Sequence, residues 1–274
     1  MLRVLCAEAA LPLPRRFTDY IPASPCNLCG ERDGTLVEVK DRNGAPLNVT
    51  CCRACGLTYV DPLPSAAELA RFYAQRYRRE YKSADAPRIG HVFRAGRVAL
   101  ERFRTVALLA QPPARVLDCG AGGGEFAYLL ASRGYRVTGI EPNDGYRGFA
   151  RAQYGVDLRP GTLDDNDFDA GAFDLISLFH VLEHLRDPGA GLARLASWLK
   201  PGGNLYVEVP NALTEVSSPS NLYHCAHLYY FAPGPQTRLA RTAGLVPLLV
   251  DAAPSRANLS AVFRREDAAG SDAP

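Results

Sequence analysis

The sharpest apolar signal along the chain is Arg115-Val-Leu-Asp-Cys119, which meets an acid and then Gly120, Gly122, Gly123 and Gly124. Such a run predicts a buried strand, a tight turn where a ligand can approach backbone, and a helix beginning near Glu125. Tyr135-Arg-Val-Thr-Gly-Ile-Glu141 alternates as a second strand and again ends in an acid. Strand and helix patterns then take turns: a helix from about 144, a short strand at 156–159, strands at 173–179 and 203–209, and a helix at 189–199 between them. A helix at 236–243 and strands at 245–250 and 258–263 complete the series. This alternation predicts an α/β fold with a doubly wound parallel sheet, whose ligands lie beyond the carboxyl ends of the strands.

Upstream the pattern changes. Thr35–Val39 and Leu47–Thr50 flank an Asp41-Arg-Asn-Gly44 turn and fit a two-stranded hairpin. On either side stand Cys26-Asn-Leu-Cys29-Gly30 and Cys52-Arg-Ala-Cys55-Gly56, where each glycine lets the backbone curl so that amide N–H groups face the thiolates. Four thiolates, Cys26, Cys29, Cys52 and Cys55, predict a small ribbon around Zn²⁺. With every coordination position filled by protein, the metal is structural and holds no activated water. Cys51 lacks the two-residue spacing.

Ser65 with Glu68 three residues on predicts a capped helix, and Tyr73, Tyr77 and Tyr81 share one helical face. In the next helical segment Arg94, Arg97, Arg102 and Arg104 alternate with apolar positions and read as its solvated face, before Pro112 and Pro113 end it. The boundaries that follow are an arm at 1–20, the ribbon at 21–62, a helical connector at 63–112, the α/β domain at 113–265 and a tail at 266–274.

Composition narrows the possible partners. The chain has 274 residues, room for one α/β domain plus something small, and 31 basic against 29 acidic side chains give a net charge of +2. Nothing in that balance calls for nucleic acid or an anionic membrane, and no apolar run approaches bilayer length. Without a secretory start, and with four of the eight cysteines in C-x-x-C pairs, the expected setting is the cytoplasm.

The D-x-G-x-G-x-G spacing differs from the G-x-G-x-x-G dinucleotide fingerprint, because Glu125 stands where the third glycine would be. The loop and the acid about twenty residues on resemble the class I S-adenosylmethionine (SAM)-dependent methyltransferases. The order of second knuckle, short strand, Pro-x-Pro-Ser and a helix ending Phe-Tyr resembles the zinc-ribbon prefix of bacterial methyltransferases in natural-product and surface-glycan pathways. That resemblance implies SAM as cofactor. Gly120, Gly122 and Gly124 then lie along its methionine portion, Asp118 holds its amino head or braces the loop, and Glu141 accepts the ribose hydroxyls. Leu163 and Asp164, in a Gly161-Thr-Leu-Asp164 turn, match the adenine-contacting segment.

His180-Val-Leu-Glu-His184 with Asp187-Pro188 after it matches the family's fourth-strand motif and puts His180 at the sulfonium, as base or as pocket lining. Thr214–Phe231, ending His-Leu-Tyr-Tyr-Phe, resembles the family's segment over the acceptor. It implies a lid with Tyr223, His224 and His227, in which His227 is the first candidate base and His180 the second. Much of the rate in such enzymes can come from in-line placement of methyl and acceptor.

The acceptor expected is a hydroxyl, less readily an amine or carbon, of a small molecule or sugar. Sugar C-methyltransferases have a glutamate where this chain has Ala226, and a further C-terminal domain, whereas this chain ends at 274. A second expectation is metal-assisted O-methylation of RNA or a quinone. Enzymes of that kind carry Glu-x-x-Glu-His; here His180 replaces the first acid, and His180, Glu183 and His184 with a later histidine hold the ion if the segment is helical. A third is a non-catalytic SAM-binding partner docked through its ribbon.

Overall fold

The computed structural model describes residues 19–20, 22–71, 87–216 and 222–266. The N-terminal arm up to residue 18, Tyr73, Tyr77 and Tyr81, residues 217–221 of the expected lid and the tail beyond 266 lie outside them.

Seven strands form the central sheet: β5 (Arg115–Cys119), β6 (Arg136–Glu141), β7 (Arg159–Pro160), β8 (Phe173–Phe179), β9 (Leu199–Pro210), β11 (Leu245–Asp251) and β12 (Asn258–Arg265). Their spatial order is β11-β12-β9-β8-β5-β6-β7. β5 to β9 run parallel, as expected, while β12 enters antiparallel between β9 and β11. The hairpin joining β11 to β12 brings the chain back alongside β9 without a crossover helix, which forces the reversed direction.

Side-chain alternation divides the core in two. Val116, Leu175, Tyr206 and Val262 face one way and pack with Ala99 and Val106 of helix α2 (Ile89–Leu109) and with Phe126 and Leu130 of α3 (Glu125–Ser132). Leu117, Ile176, Leu205 and Val207 face the other way, against Leu192, Leu195 and the lone Trp198 of α5 (Pro188–Trp198). Between these helices in chain order comes α4 (Asp144–Tyr154), capped by the Asn143 side chain, which accepts from Tyr146 N at 3.0 Å.

The expected 156–159 strand is displaced to Arg159–Pro160, because Val156 and Leu158 are drawn into a small cluster with Ala121 and Ala150. β9 starts four residues early, at Leu199, because Phe173 and Leu199 pair across β8 and β9 before a register shift. The solvated-face reading of α2 fails for Arg102, whose side chain is 16% exposed. Positions 99, 102 and 106 share one helical stripe, so Arg102 points with Ala99 and Val106 toward the sheet.

The second sheet is antiparallel, in the order β1 (Asp19–Tyr20), β2 (Gly34–Lys40), β3 (Pro46–Cys52), β4 (Thr58–Val60), β10 (Tyr229–Tyr230). The hairpin is where the sequence placed it: Asp41 Oδ1 accepts the N–H groups of Asn43 and Ala45, closing the β2–β3 turn. Both knuckle glycines have positive φ, 78° at Gly30 and 75° at Gly56, and each donates its N–H back to the cysteine four residues earlier. After β4, the Ser65 and Glu68 capping box opens a short α1 (Ala66–Arg71). The fifth strand, β10, comes from the expected lid segment beyond the central sheet, so that segment shares a sheet with the ribbon. The ribbon's Cys26, Cys52, Cys55, Leu57 and Tyr59 pack in the same apolar cluster as Leu117 and Trp198.

Candidate functional site

The carboxyl ends of β5, β6 and β8 meet around the glycine loop. Gly120 N and Ala121 N both donate to Ile140 O, at 2.9 and 3.0 Å, and Glu141 Oε2 accepts Gly122 N at 2.9 Å. Its other oxygen accepts Asn143 N, so Glu141 spans the loop and the start of α4. Asp118 is buried and takes a 2.7 Å hydrogen bond from Ser177 Oγ, its neighbour across the β5–β8 register. Burial pushes its carboxyl up to about 6, against the pull of that hydrogen bond. In the loop after β7, Leu163 is buried in the main cluster, and Asp164 is exposed with its N–H donated to Thr162 Oγ1.

A Cβ on Gly120 would stand 2.5 Å from Val181 Cγ2, so the glycine loop touches the segment after β8 directly. His180 opens that segment with φ of 55°, the one non-glycine residue with positive φ among the described residues. Its N–H donates to Glu208 O at 2.8 Å, which holds a conformation costing about 1–2 kcal/mol.

The imidazole lies between two carboxylates: Nδ1 is 3.5 Å from Glu183 Oε1 and Nε2 is 3.3 Å from Glu208 Oε1. Burial opposes a charged ring there, but Glu183 and Glu208 prevail and push His180 up to about 9. Glu208 itself is held down to about 2, with His180 and Arg102 outweighing its burial. Arg102 donates to Glu208 Oε1 at 2.6 Å and lays its guanidinium 3.9 Å from the centre of the Phe179 ring; Asn258 Nδ2 donates to the same oxygen at 3.1 Å.

Sequence reasoning missed Arg102 and Glu208, although both left a signal. Glu208 is an acid inside the apolar run Leu205–Val209, and Arg102 falls on the core-facing stripe of α2.

The metal-holding face expected of His180, Glu183 and His184 does not form, because 182–184 is a single 3-10 turn and His180 precedes it in the left-handed region. The groups that do converge are Glu183, His184 and His227, with ligand atoms all within 4.8 Å of one another. Glu183 is 1% exposed, and neither of its carboxylate oxygens accepts a hydrogen bond. Burial works against its charge, yet the imidazoles of His180, His184 and His227 hold it below the usual carboxylate range.

A carbonyl can only accept, so the 2.7 Å contact between His184 Nδ1 and Ala226 O puts a proton on Nδ1 and turns Nε2 toward Glu183, 3.9 Å away. His227 packs edge-on against His184 with ring centres 5.0 Å apart, and its Nδ1 is buried without a hydrogen-bond partner. Burial drives His227 down to about 3. His224, the other histidine of the expected lid, is tied into backbone: Nδ1 accepts Ala226 N, and its own N–H donates to Tyr230 Oη.

The second cluster comprises Cys26, Cys29, Cys52 and Cys55, again within 4.8 Å of one another. Cys26 Sγ and Cys55 Sγ are 3.4 Å apart, and Cys29 Sγ and Cys52 Sγ are 3.5 Å apart. The hydrogen bond between Cys55 and Cys26 lowers Cys26 to about 5 and raises Cys55.

Residues 90–249 match the family model described as "Methyltransferase domain". The ubiquinone biosynthesis O-methyltransferase of Marinobacter nauticus is 35% identical over 105 residues, which is 35% of this chain and 44% of that protein. A protein of Mycolicibacterium smegmatis described as a probable S-adenosylmethionine-dependent methyltransferase is 32% identical over 133 residues, 47% of this chain and 51% of its own. The chain spans about half the length of the curated relatives it matches.

Among solved structures, the 1,6-didemethyltoxoflavin-N1-methyltransferase of Burkholderia thailandensis, with 1,6-didemethyltoxoflavin and S-adenosylhomocysteine bound, is similar in fold. It has a TM-score of 0.54 and 22% identity, and the match covers 78% of this chain and 97% of that one. The PH0226 protein of Pyrococcus horikoshii has a TM-score of 0.55 and 15% identity, with 70% and 99% covered. No helix among the described residues is long and apolar enough to cross a membrane.

Proposed function

The chain belongs to the methyltransferase-domain family, and from that premise we propose that it carries the methyl group of SAM to a hydroxyl of a small-molecule acceptor. SAM supplies a methyl on a sulfonium, a good leaving group. The residues present fit it: Gly122 has open space where a Cβ would be, Gly120 and Gly124 keep the loop low, and Glu141 ends β6 beside that loop. Glu141 takes the ribose hydroxyls with the lone pairs its two backbone bonds leave, Asp118 braces the loop through Ser177, and Leu163 and Asp164 flank the adenine.

The observation that carries the acceptor side is the trio of Glu183, His184 and His227, the carboxylate buried and the two imidazoles partly so, beside the end of β8 and one strand from the glycine loop. His227 keeps a buried Nδ1 without a hydrogen-bond partner, which makes it the first candidate to receive the acceptor hydroxyl's hydrogen; burial lowers the ring to about 3 and so leaves it a weak base, and in-line placement of methyl and acceptor carries most of the rate. His180, held charged between two carboxylates, suits orientation better than proton abstraction. Around the cysteine cluster, Zn²⁺ at about 2.3 Å from each sulfur needs sulfurs about 3.8 Å apart, which the crowded thiols approach. It would hold the ribbon together and take no part in transfer.

A second reading has its own support. A buried carboxylate without a hydrogen bond, next to two imidazole nitrogens, fits a divalent cation held by Glu183, His184 and His227. Such an ion supplies Lewis acidity to a hydroxyl. The relatives named ubiquinone biosynthesis O-methyltransferase make a phenolic or quinol hydroxyl the acceptor to try first.

The test is formation of S-adenosylhomocysteine from SAM with 3,4-dihydroxybenzoate, a quinol and a nucleotide sugar as acceptors, with and without added Mg²⁺ or Zn²⁺. Turnover with a hydroxylated ring that His227→Ala abolishes supports the reading; binding of SAM with no turnover on any acceptor leaves the non-catalytic partner instead. Stimulation by the ion that Glu183→Gln removes selects the metal-assisted version.

A further inference from the structure

Two covalently independent routes lead from the cysteine cluster to the acceptor trio. One runs through backbone. Cys52 ends β3, β3 pairs with β4 at Thr50 and Tyr59, and β4 pairs with β10 at Tyr59 and Tyr229. Val60 N then donates to Leu228 O at 2.9 Å, and Leu228 N donates to Glu183 O at 2.8 Å. His227 is the residue before Leu228, so the ladder that begins at a cysteine ends on two of the three groups in the trio.

The other route runs through a side chain. Asn27 lies inside the first knuckle, between Cys26 and Cys29. Its Nδ2 donates to Asp187 Oδ1 at 3.0 Å, and its Oδ1 accepts Gly189 N at 3.2 Å. Asp187 caps α5 by accepting Ala190 N, three residues after His184. Between the two routes, Tyr229 Oη donates to Arg186 O at 3.0 Å and its ring packs near Tyr59, both rings buried. Apart from the contact of Gly120 with Val181, the cofactor loop takes its hydrogen bonds elsewhere, from Ile140 and Glu141.

We infer that the cysteine ribbon is a working part of the acceptor subsite: Asn27 and the β4–β10 pairing act as positioning groups for Glu183, His184 and His227, while the cofactor half stands independently. The inference rests on the reading of the chain as a zinc-bearing methyltransferase. A hairpin this small has little core of its own and depends on its metal for shape. Displacement of a reacting group by about 1 Å can cost a hundredfold in rate, so a modest shift in the knuckle has a large effect downstream.

The experiment uses the full chain in three forms: zinc-replete, chelator-stripped, and Asn27→Ala with all four cysteines kept. Metal content, calorimetric binding of S-adenosylhomocysteine, the assigned imidazole NMR signals of His184 and His227, and turnover on 3,4-dihydroxybenzoate are read for each. Asn27→Ala should keep one zinc per chain and bind S-adenosylhomocysteine within twofold of wild type, yet shift both imidazole signals and lower kcat/KM at least tenfold. Asn27→Asp should be worse than alanine, since it sets a carboxylate against Asp187.

Unchanged imidazole signals and turnover in Asn27→Ala overturn the inference. So does parallel loss of S-adenosylhomocysteine binding, which would make the ribbon a brace for the whole fold. Wild-type protein that takes up no zinc, or binds no S-adenosylhomocysteine, refutes the underlying reading and the inference with it, and each of these failures has its own readout.

Discussion

Glu208 holds His180 at two points: its backbone carbonyl takes the His180 N–H at 2.8 Å, and its Oε1 lies 3.3 Å from Nε2 of the ring. The end of β8 is thereby fastened to β9, and a ring that stands 40% exposed is kept charged. Because the folded value for His180, about 9, lies above the ordinary 6.5, the ion pair contributes fully below pH 6.5 and its contribution is lost as pH rises through 9. The thermal unfolding midpoint of wild type should therefore fall as pH rises across that window. His180→Asn, whose side chain tolerates left-handed backbone, should flatten the decline. Equal slopes in the two proteins would rule the pairing out.

Arg102 is the counterweight to Glu208. Removing one partner of a buried pair costs about 3 kcal/mol where nothing else meets the remaining charge, and His180 and Asn258 still reach Glu208, so we take that as the upper bound. Arg102→Ala also strips the cover from Phe179. We expect a urea midpoint shift of at most that size with little change in slope, and a smaller loss for Glu208→Gln, which keeps the shape and a neutral acceptor. At low pH the difference should fade, since Glu208's contribution is present above pH 4.5 and lost as pH falls through about 2.

Much of this arrangement could be read from the sequence, and the rest was hidden for identifiable reasons. The strand ends at Cys119, Glu141 and Phe179 were legible because each apolar run stops at a polar or glycine residue where burial gives way to a ligand edge. The cysteine knuckles were legible because metal spacing is a local property of the chain. What the sequence concealed was long-range. Nothing local says that Tyr229 and Tyr230 leave the expected lid segment to become the fifth strand of the ribbon sheet, or that the later histidine joining Glu183 and His184 is His227, with His180 outside that cluster. Arg102 was misread because a basic residue on an amphipathic helix is usually solvated, and only Glu208, more than a hundred residues away, makes it a core residue.

The glycines of the loop divide by what they protect. Gly124 has φ of 84°, and a Cβ there would lie 2.8 Å from Ala150 Cβ, so Gly124→Ala should cost about 2 kcal/mol in left-handed strain and crowding. Gly122 has φ of 57° and open space around its Cβ position, so Gly122→Ala pays only the conformational part, about 1 kcal/mol. Its added methyl instead enters the open space proposed for the cofactor. Differential scanning calorimetry should rank Gly124→Ala as the less stable, whereas titration with S-adenosylhomocysteine should show Gly122→Ala losing affinity out of proportion to its stability.

His227 gives the clearest test of the acceptor site. Burial lowers it to about 3, so in the folded protein the ring stays neutral while an unfolded histidine protonates near 6.5. A base depressed in this way subtracts stability as pH falls from 6.5 toward 3, the opposite sign to His180, and His227→Asn should regain stability over that interval. The His227 ring-carbon NMR signal should accordingly stay at its neutral position from pH 5 to pH 8. A cation entering between Glu183, His184 and His227 would move that signal in one step on titration with Mg²⁺ or Zn²⁺, in protein whose cysteine cluster is already filled, and Glu183→Gln would remove the response. A ring that titrates near pH 6.5 would mean that water reaches His227 and would remove the stability loss expected below that pH, and a signal that neither cation moves would sink the metal reading of the trio.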